Sequence, residues 1–254
     1  MRPVKAVRSV RDHARILLGR PVKPGAVLSR KSLAQAYLRG EGIEIGALHY
    51  PLPMPAGVRV RYVDWKDVPG LHEMFPEMQG QRLVSVDIVD DGETLATVGD
   101  ATQDFLIANH FVEHCEDPLG AIGNFLRVLR PGGTLFLTIP DKRYTFDRER
   151  PVTTMDHLEA DARDGGAGSR RRHYEEHARA LDRLTDETRV AARVEELLRE
   201  RLRTHFHVWT QTEILELVVW LQRRHPLDLE VFFKHGIEVV LVLRKFDPAS
   251  GNGR

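Results

Sequence analysis

The feature that most constrains this chain is a regular alternation of short β-branched runs with turn or helix signals over its first 140 residues. Gly42-Ile43-Glu44-Ile45-Gly46, Val58–Asp64, Leu83–Val89, Asp104–Asn109 and Thr134–Ile139 all have strand composition. Between the fourth and fifth runs, Leu119, Ile122, Leu126 and Leu129 recur at helical spacing, and Pro131-Gly132-Gly133 ends the pattern. A strand–helix–strand unit places its strands side by side and parallel. The spacing therefore predicts an α/β chain built on a mostly parallel sheet.

The chain end breaks that rule. A helix is expected over Thr212–Arg224, capped by Thr210 or Thr212 and stopped before Pro226, followed by strands Leu227–Phe233 and Ile237–Leu243. Only Lys234-His235-Gly236 joins these strands, too short for a parallel crossover, so they are expected to pair antiparallel. Between the two regions, residues 141–204 are densely charged and show no strand signal. Pro151–Asp161 reads as a turn and short helix, Gly165–Ser169 as a flexible break, and Tyr174–Arg203 as a long polar helix or a pair. The economical arrangement is a helical lid inserted over the carboxyl edge of the sheet.

Composition narrows the class. At 254 residues, 42% apolar and 29% charged, the chain can close one large core. Its longest apolar run, Val239–Leu243, falls far short of the ~20 residues a membrane-spanning helix needs. The single cysteine, Cys115, excludes a disulfide scaffold and a cysteine-based zinc finger. With no secretory-signal pattern, the cytoplasm is the expected compartment. Lys plus Arg balances Asp plus Glu at 37 each, which argues against nucleic acid as the partner. Basic residues nevertheless crowd residues 1–40, where Asp12 is the single acid. The expected organisation is a basic arm over 1–40, a domain over 41–245 with its lid at 141–204, and a disordered tail over 246–254. No signal for an oligomeric state is present.

Ligands of open α/β sheets bind beyond the carboxyl ends of the strands. Here the first strand ends in Glu44-Ile45-Gly46 and the second in Asp64: a glycine that admits close backbone approach, then an acid suited to ribose hydroxyls. Asp90-Asp91-Gly92-Glu93 follows the third strand. Gly46 has no second or third glycine after it, and no phosphate-cradling Gly-Lys-Ser/Thr occurs, so a nucleoside is favoured over a dinucleotide or nucleoside triphosphate.

Taken together, Glu44-Ile45-Gly46, Asp64, Asp91–Leu95, Asp104-Phe105, Asn109–His114 and Arg127–Gly133 resemble the class I S-adenosylmethionine-dependent methyltransferases, most closely their type 11 branch, from about Gly42 to Lys245. The resemblance implies a Rossmann-like, doubly wound seven-stranded sheet, mostly parallel with one antiparallel C-terminal strand, plus the helical lid. It implies S-adenosyl-L-methionine as cofactor. Glu44 and Gly46 would lie by its methionine part, Asp64 on the ribose, Asp91 on the adenine amine, and Asn109 and His110 by the sulfonium. The loop after Gly46 departs from the family pattern, since residues 47–57 are too few for the usual helix.

Methyl transfer to a hydroxyl needs alignment and a base. His207 is the leading candidate base, then His205 and His157, with Asp147 or Asp161 available to orient a histidine and Lys142 and Arg143 to meet a polar acceptor. His110, Glu113 and His114, at i, i+3 and i+4, would share a helix face and are candidate ligands of a divalent metal. The expected acceptor is a polar small molecule or a glycan, methylated at a hydroxyl. The alternatives are a non-catalytic methyltransferase-like binding protein, for which the shortened loop speaks, and an RNA methyltransferase, for which the basic arm speaks.

Overall fold

The computed structural model describes residues 28–247. Seven strands form one sheet: β1 Glu41–Ile45, β2 Arg59–Asp64, β3 Ile88–Val89, β4 Gln103–Asn109, β5 Leu129–Pro140, β6 Leu227–His235 and β7 Glu238–Lys245. Their order is β3-β2-β1-β4-β5-β7-β6. β7 runs antiparallel to both β5 and β6, and the other six strands are parallel to one another. The helices are α1 Arg30–Tyr37, α2 Val68–Met74, α3 Pro118–Val128, α4 Met155–Asp164, α5 Arg170–Ala180, α6 Glu187–Glu200 and α7 Gln211–Arg224.

The central strands are apolar on both faces, as strands sandwiched between layers must be. Ile43, Ile45, Leu106, Ala108, Leu135, Leu137, Leu241 and Leu243 face the side covered by α3, α4 and α7, while Phe105, Ile107, Phe136, Val240 and Val242 pack with α1 and Leu52. α3 starts where Asp117 accepts the Gly120 amide (2.9 Å) and Pro118 presets the first turn. α7 starts with a capping box between Thr210 and Glu213, so Thr210 is the cap.

Three expectations shift. Residues 30–38 do not belong to a free arm: Leu33, Ala34, Ala36, Tyr37 and Leu38 are buried against the sheet, an apolar face that the surrounding basic residues disguised. The remainder of the arm, 1–27, and the tail beyond 247 lie outside the described residues. The third strand shrinks from the expected 83–89 to Ile88–Val89, because the Asp87 carboxylate takes the Tyr62 amide (2.8 Å) that a longer ladder would use. Gly165–Ser169 is a defined turn rather than a slack break. Gly165 caps α4 at φ 66°, and a Cβ on Gly166 would stand 2.4 Å from the Glu116 carbonyl oxygen.

Residues 46–58 connect β1 to β2 without a helix. Their anchor is the buried Glu44 carboxylate, whose two oxygens accept the Leu52 amide at 3.0 and 3.1 Å. α1, arriving from before β1, covers the face that a crossover helix would otherwise cover.

β1 and β4 meet without clearance at Gly42, where an added Cβ would lie 2.2 Å from the Phe105 carbonyl oxygen. Gly42→Ala is expected to cost roughly 3 kcal/mol by overpacking, read as a lower urea midpoint at unchanged slope.

Candidate active site

The carboxyl edge of the sheet is assembled strand by strand. Gly46, after β1, lies in the left-handed region at φ 64°, where glycine is unstrained. Asp64 ends β2; its Oδ1 accepts the Trp65 amide (2.8 Å), and its other oxygen takes no hydrogen bond from the described residues. Burial pushes the Asp64 carboxyl up, opposed by that amide. After β3, Asp90 accepts the Thr97 amide and hydroxyl (2.8 and 2.7 Å), and Asp91 Oδ1 accepts the Glu93 amide (2.8 Å), an Asx turn. Beneath it, a Cβ on Gly92 would stand 2.6 Å from both Ile45 and Phe111. Asn109 closes β4, donating to Glu44 Oε1 (3.3 Å) and accepting from the Thr138 hydroxyl (3.1 Å). Beside Asp64, the ring of Trp65 is half exposed with the Arg203 guanidinium 4.9 Å from its centre, and Arg203 also donates to Glu93 (2.8 Å). The end of the insert is thereby tied to the ends of β2 and β3. A left-handed glycine, a carboxylate oxygen in reserve and a polar strand end suit a nucleoside along this edge.

Glu44 and His110 have more structural surroundings than their expected roles imply. Glu44 is 1% exposed, and its contacts are Leu52 and Asn109. His110 has φ 50°, and its ring lies between Glu238 (2.6 Å) and Glu113 (3.3 Å). Burial opposes the charged ring, but the two carboxylates outweigh it and push its pKa up to about 9, making His110 a cation at neutral pH rather than a base.

Nor do His110, Glu113 and His114 share a helix face. Residues 112–114 form a single 3-10 turn and His110 precedes it in a left-handed conformation, so its ring meets Glu113 (3.3 Å) without joining Glu113 and His114 in one ligating group. The structure gathers Glu113 and His114 with His205 instead; one ligating atom from each lies within 4.8 Å of the others. His114 Nδ1 donates to the Thr204 carbonyl (2.9 Å), and His205 Nδ1 lies 2.6 Å from Asp147 Oδ2. Each ring thus has its Nδ1 engaged, leaving Nε2 as its second nitrogen.

Asp147 is held by Arg150 (2.9 Å), whose guanidinium also donates to the His205 and Phe206 carbonyls. Burial would raise the Asp147 carboxyl, but His205 and Arg150 outweigh it and hold it down. Phe146, largely exposed, lies 4.8 Å from the His205 ring. Neither expected cation is presented to an acceptor: Lys142 is buried on the Arg148 carbonyl (2.6 Å), and Arg143 is clamped on Asp141 (2.6 Å).

His207 occupies a different place from His205. It is fully buried, stacks on Trp209 at 5.8 Å, and has Cys115 O on one ring nitrogen (3.1 Å) and Asp161 Oδ2 on the other (2.8 Å). His157 reaches the same Asp161 oxygen (3.1 Å). With no path to solvent, His207 is unsuited to take a proton from an acceptor, which overturns its expected primacy. Cys115 itself is fully buried, and burial pushes its thiol well up. Sequence reasoning missed His173, which completes the Asp161 group, and Arg150. His173, Tyr174 and Ala178 are buried on one side of α5, a helical periodicity obscured by the preceding Arg170-Arg171-Arg172.

A family model described as "Methyltransferase domain" matches residues 61–219. Among solved structures, a Rhodobacter sphaeroides protein provisionally described as a zinc-dependent alcohol dehydrogenase is 14% identical, with 86% of this chain and 89% of that one covered at a TM-score of 0.52. An S-adenosylmethionine-dependent methyltransferase from Thermotoga maritima is 16% identical over 85% of this chain and 88% of its own, TM-score 0.45. Another from Aquifex aeolicus is 11% identical over 92% and 97%, TM-score 0.45. No curated protein matches significantly. The chain belongs to the methyltransferase-domain family, as a class I S-adenosylmethionine-dependent methyltransferase. Among the described residues no helix is long and apolar enough to cross a membrane.

Burial of Glu44 pushes its pKa up to about 7, against the lowering effect of the Leu52 and Asn109 hydrogen bonds. A carboxyl that binds its proton more tightly folded than unfolded favours folding at low pH. Its contribution falls as pH rises from the ordinary 4.5 toward 7 and is constant above that. Relative to Glu44→Gln, the wild-type protein is therefore expected to lose roughly 3 kcal/mol between pH 4.5 and 7.5, measured by denaturant unfolding of both proteins.

Proposed function

We propose that this methyltransferase acts on a hydroxyl of a polar small molecule or glycan, with His205 as the general base and Asp147 as the residue that positions it. The observation that carries this reading is the His205–Asp147 pair itself, 2.6 Å apart beside the carboxyl end of β4. A carboxylate on Nδ1 leaves Nε2 as the basic nitrogen, turned toward a space bordered by His114 and the exposed ring of Phe146.

When bound, S-adenosylmethionine supplies a methyl carbon already activated by its sulfonium. The chain must then bind and align the reactants and accept one proton. Asp64 would take the ribose hydroxyls on its spare oxygen, Gly46 would allow the backbone close to the cofactor, and Asp91 and Asn109 would flank the adenine and methionine ends. His205 Nε2 would take the acceptor proton as the carbon–oxygen bond forms and the methyl carbon's bond to sulfur breaks, and Asp147 would stabilise the resulting imidazolium. Arg150 keeps Asp147 ionised and aimed, while the exposed Phe146 ring offers flat apolar surface beside His205. Residues 141–204 act as the cover over this edge, joined to the cofactor side through Arg203.

Asp64→Ala is expected to weaken S-adenosylmethionine binding by about 2 kcal/mol, measured by titration calorimetry on the folded variant. Unchanged affinity would remove Asp64 from the cofactor site. His205→Ala should lower turnover by roughly 100-fold to 10,000-fold with cofactor affinity intact, and Asp147→Asn should lower kcat while shifting its pH profile. A His205→Ala enzyme with ordinary turnover on extracted polar metabolites and labelled cofactor would overturn base catalysis by this residue.

A further inference from the structure

His157, Asp161, His173 and His207 converge in the interior of the insert, away from the His205–Asp147 pair. One ligating atom from each lies within 4.8 Å of the other three. The resolved edges of this group are His207 Nε2 to Asp161 Oδ2 at 2.8 Å, His157 Nε2 to Asp161 Oδ2 at 3.1 Å, and His157 Nε2 to His173 Nε2 at 3.1 Å. Four nitrogen and oxygen ligands tetrahedrally placed around zinc at about 2.0–2.1 Å would have edges of about 3.3 Å. These three edges lie within about half an ångström of that figure.

Proton bookkeeping points the same way. Cys115 O accepts from His207 Nδ1 (3.1 Å), so the neutral ring carries a lone pair on Nε2, directed at the Asp161 carboxylate. Two acceptors facing each other in a dry interior require a cation or a second proton between them. His173 is 3% exposed, its Nδ1 has no hydrogen-bond partner, and its Nε2 makes its one hydrogen bond, to another imidazole nitrogen. A buried polar ring aimed solely into the cluster has the placement of a ligand.

We infer that His157 Nε2, Asp161 Oδ2, His173 Nε2 and His207 Nε2 form a closed, four-coordinate structural site for Zn²⁺. Three imidazoles and one carboxylate suit this ion, and four protein ligands leave no position for a reacting water. The Cys115 carbonyl on His207 is the outer partner that metal-bound histidines ordinarily have. One rearrangement is needed. Arg172 now donates to His157 Nδ1 (2.6 Å); coordination through Nε2 moves the ring proton to Nδ1, and the largely exposed Arg172 turns toward Glu176, 3.9 Å from its Nε. The ion joins α4, α5 and the 205–209 segment. It thereby holds the backbone two residues from His205 without touching the acceptor.

The test uses the full chain, stripped with a chelator and titrated with Zn²⁺ or with Co²⁺ as a spectroscopic substitute. The expected result is one ion per chain, a rise in Tm on Zn²⁺ addition, and visible ligand-field absorption of four-coordinate cobalt. His157→Ala, at the solvent-side edge of the cluster, and His173→Asn should each weaken binding about 100-fold or more, whereas His114→Ala should leave it unchanged. His157→Ala guards against a folding defect, since its circular dichroism spectrum should match the wild type. Absence of stoichiometric metal together with a Tm unmoved by Zn²⁺ would overturn the inference. So would binding that survives His157→Ala and His173→Asn but is lost in His114→Ala, which would place the ion on Glu113, His114 and His205.

Discussion

The site depends on a single backbone acceptor. The Glu113 carbonyl, just past β4, accepts the amides of Phe206 (2.8 Å) and His207 (3.2 Å), drawing the returning end of the insert onto the carboxyl edge of the sheet. That contact brings residues 46 to 92 positions apart into register: His207 reaches Asp161 and the Cys115 carbonyl, and His205 reaches Asp147 and His114. Arg150 reinforces the arrangement by donating to the His205 and Phe206 carbonyls from the opposite side. Alternate side chains of one short extended segment can then serve two different polar groups, one dry and one at the solvent edge.

Much of the fold was readable because its signals are local. Strand runs ending at Gly46, Asp64 and Asn109, the Pro131-Gly132-Gly133 stop, and the three-residue link after Phe233 each report on a few neighbouring residues. The elements these signals predict are found, apart from their end points, while α1 and α2 were not among them. Signals failed where a side chain substituted for backbone or where charge masked an apolar face. Asp87 replaces a rung of the ladder and shortens β3, and α1 hides its buried face among basic residues.

Strand ends pointed to one edge of the sheet, but no local pattern told which histidine meets which acid. Those partnerships join positions separated by 46 and 58 residues and exist only after the insert folds back. His207 stacks on Trp209, and both are buried along with Phe206 and Val208, so no alternation of dry and wet faces marks that segment. The shortened loop after Gly46 has a physical replacement in Glu44 and α1.

Cys115 sits at the junction of these features: its carbonyl meets His207, its thiol is wholly enclosed, and it is the only cysteine in the chain. Thiol reagents react with the exposed thiolate, so modification of Cys115 requires the packing around the end of β4 to open. Its labelling rate is therefore a native stopwatch for the opening of the site, without any introduced probe. Under conditions where reclosing outpaces the reagent, that rate converts into the free energy of that opening.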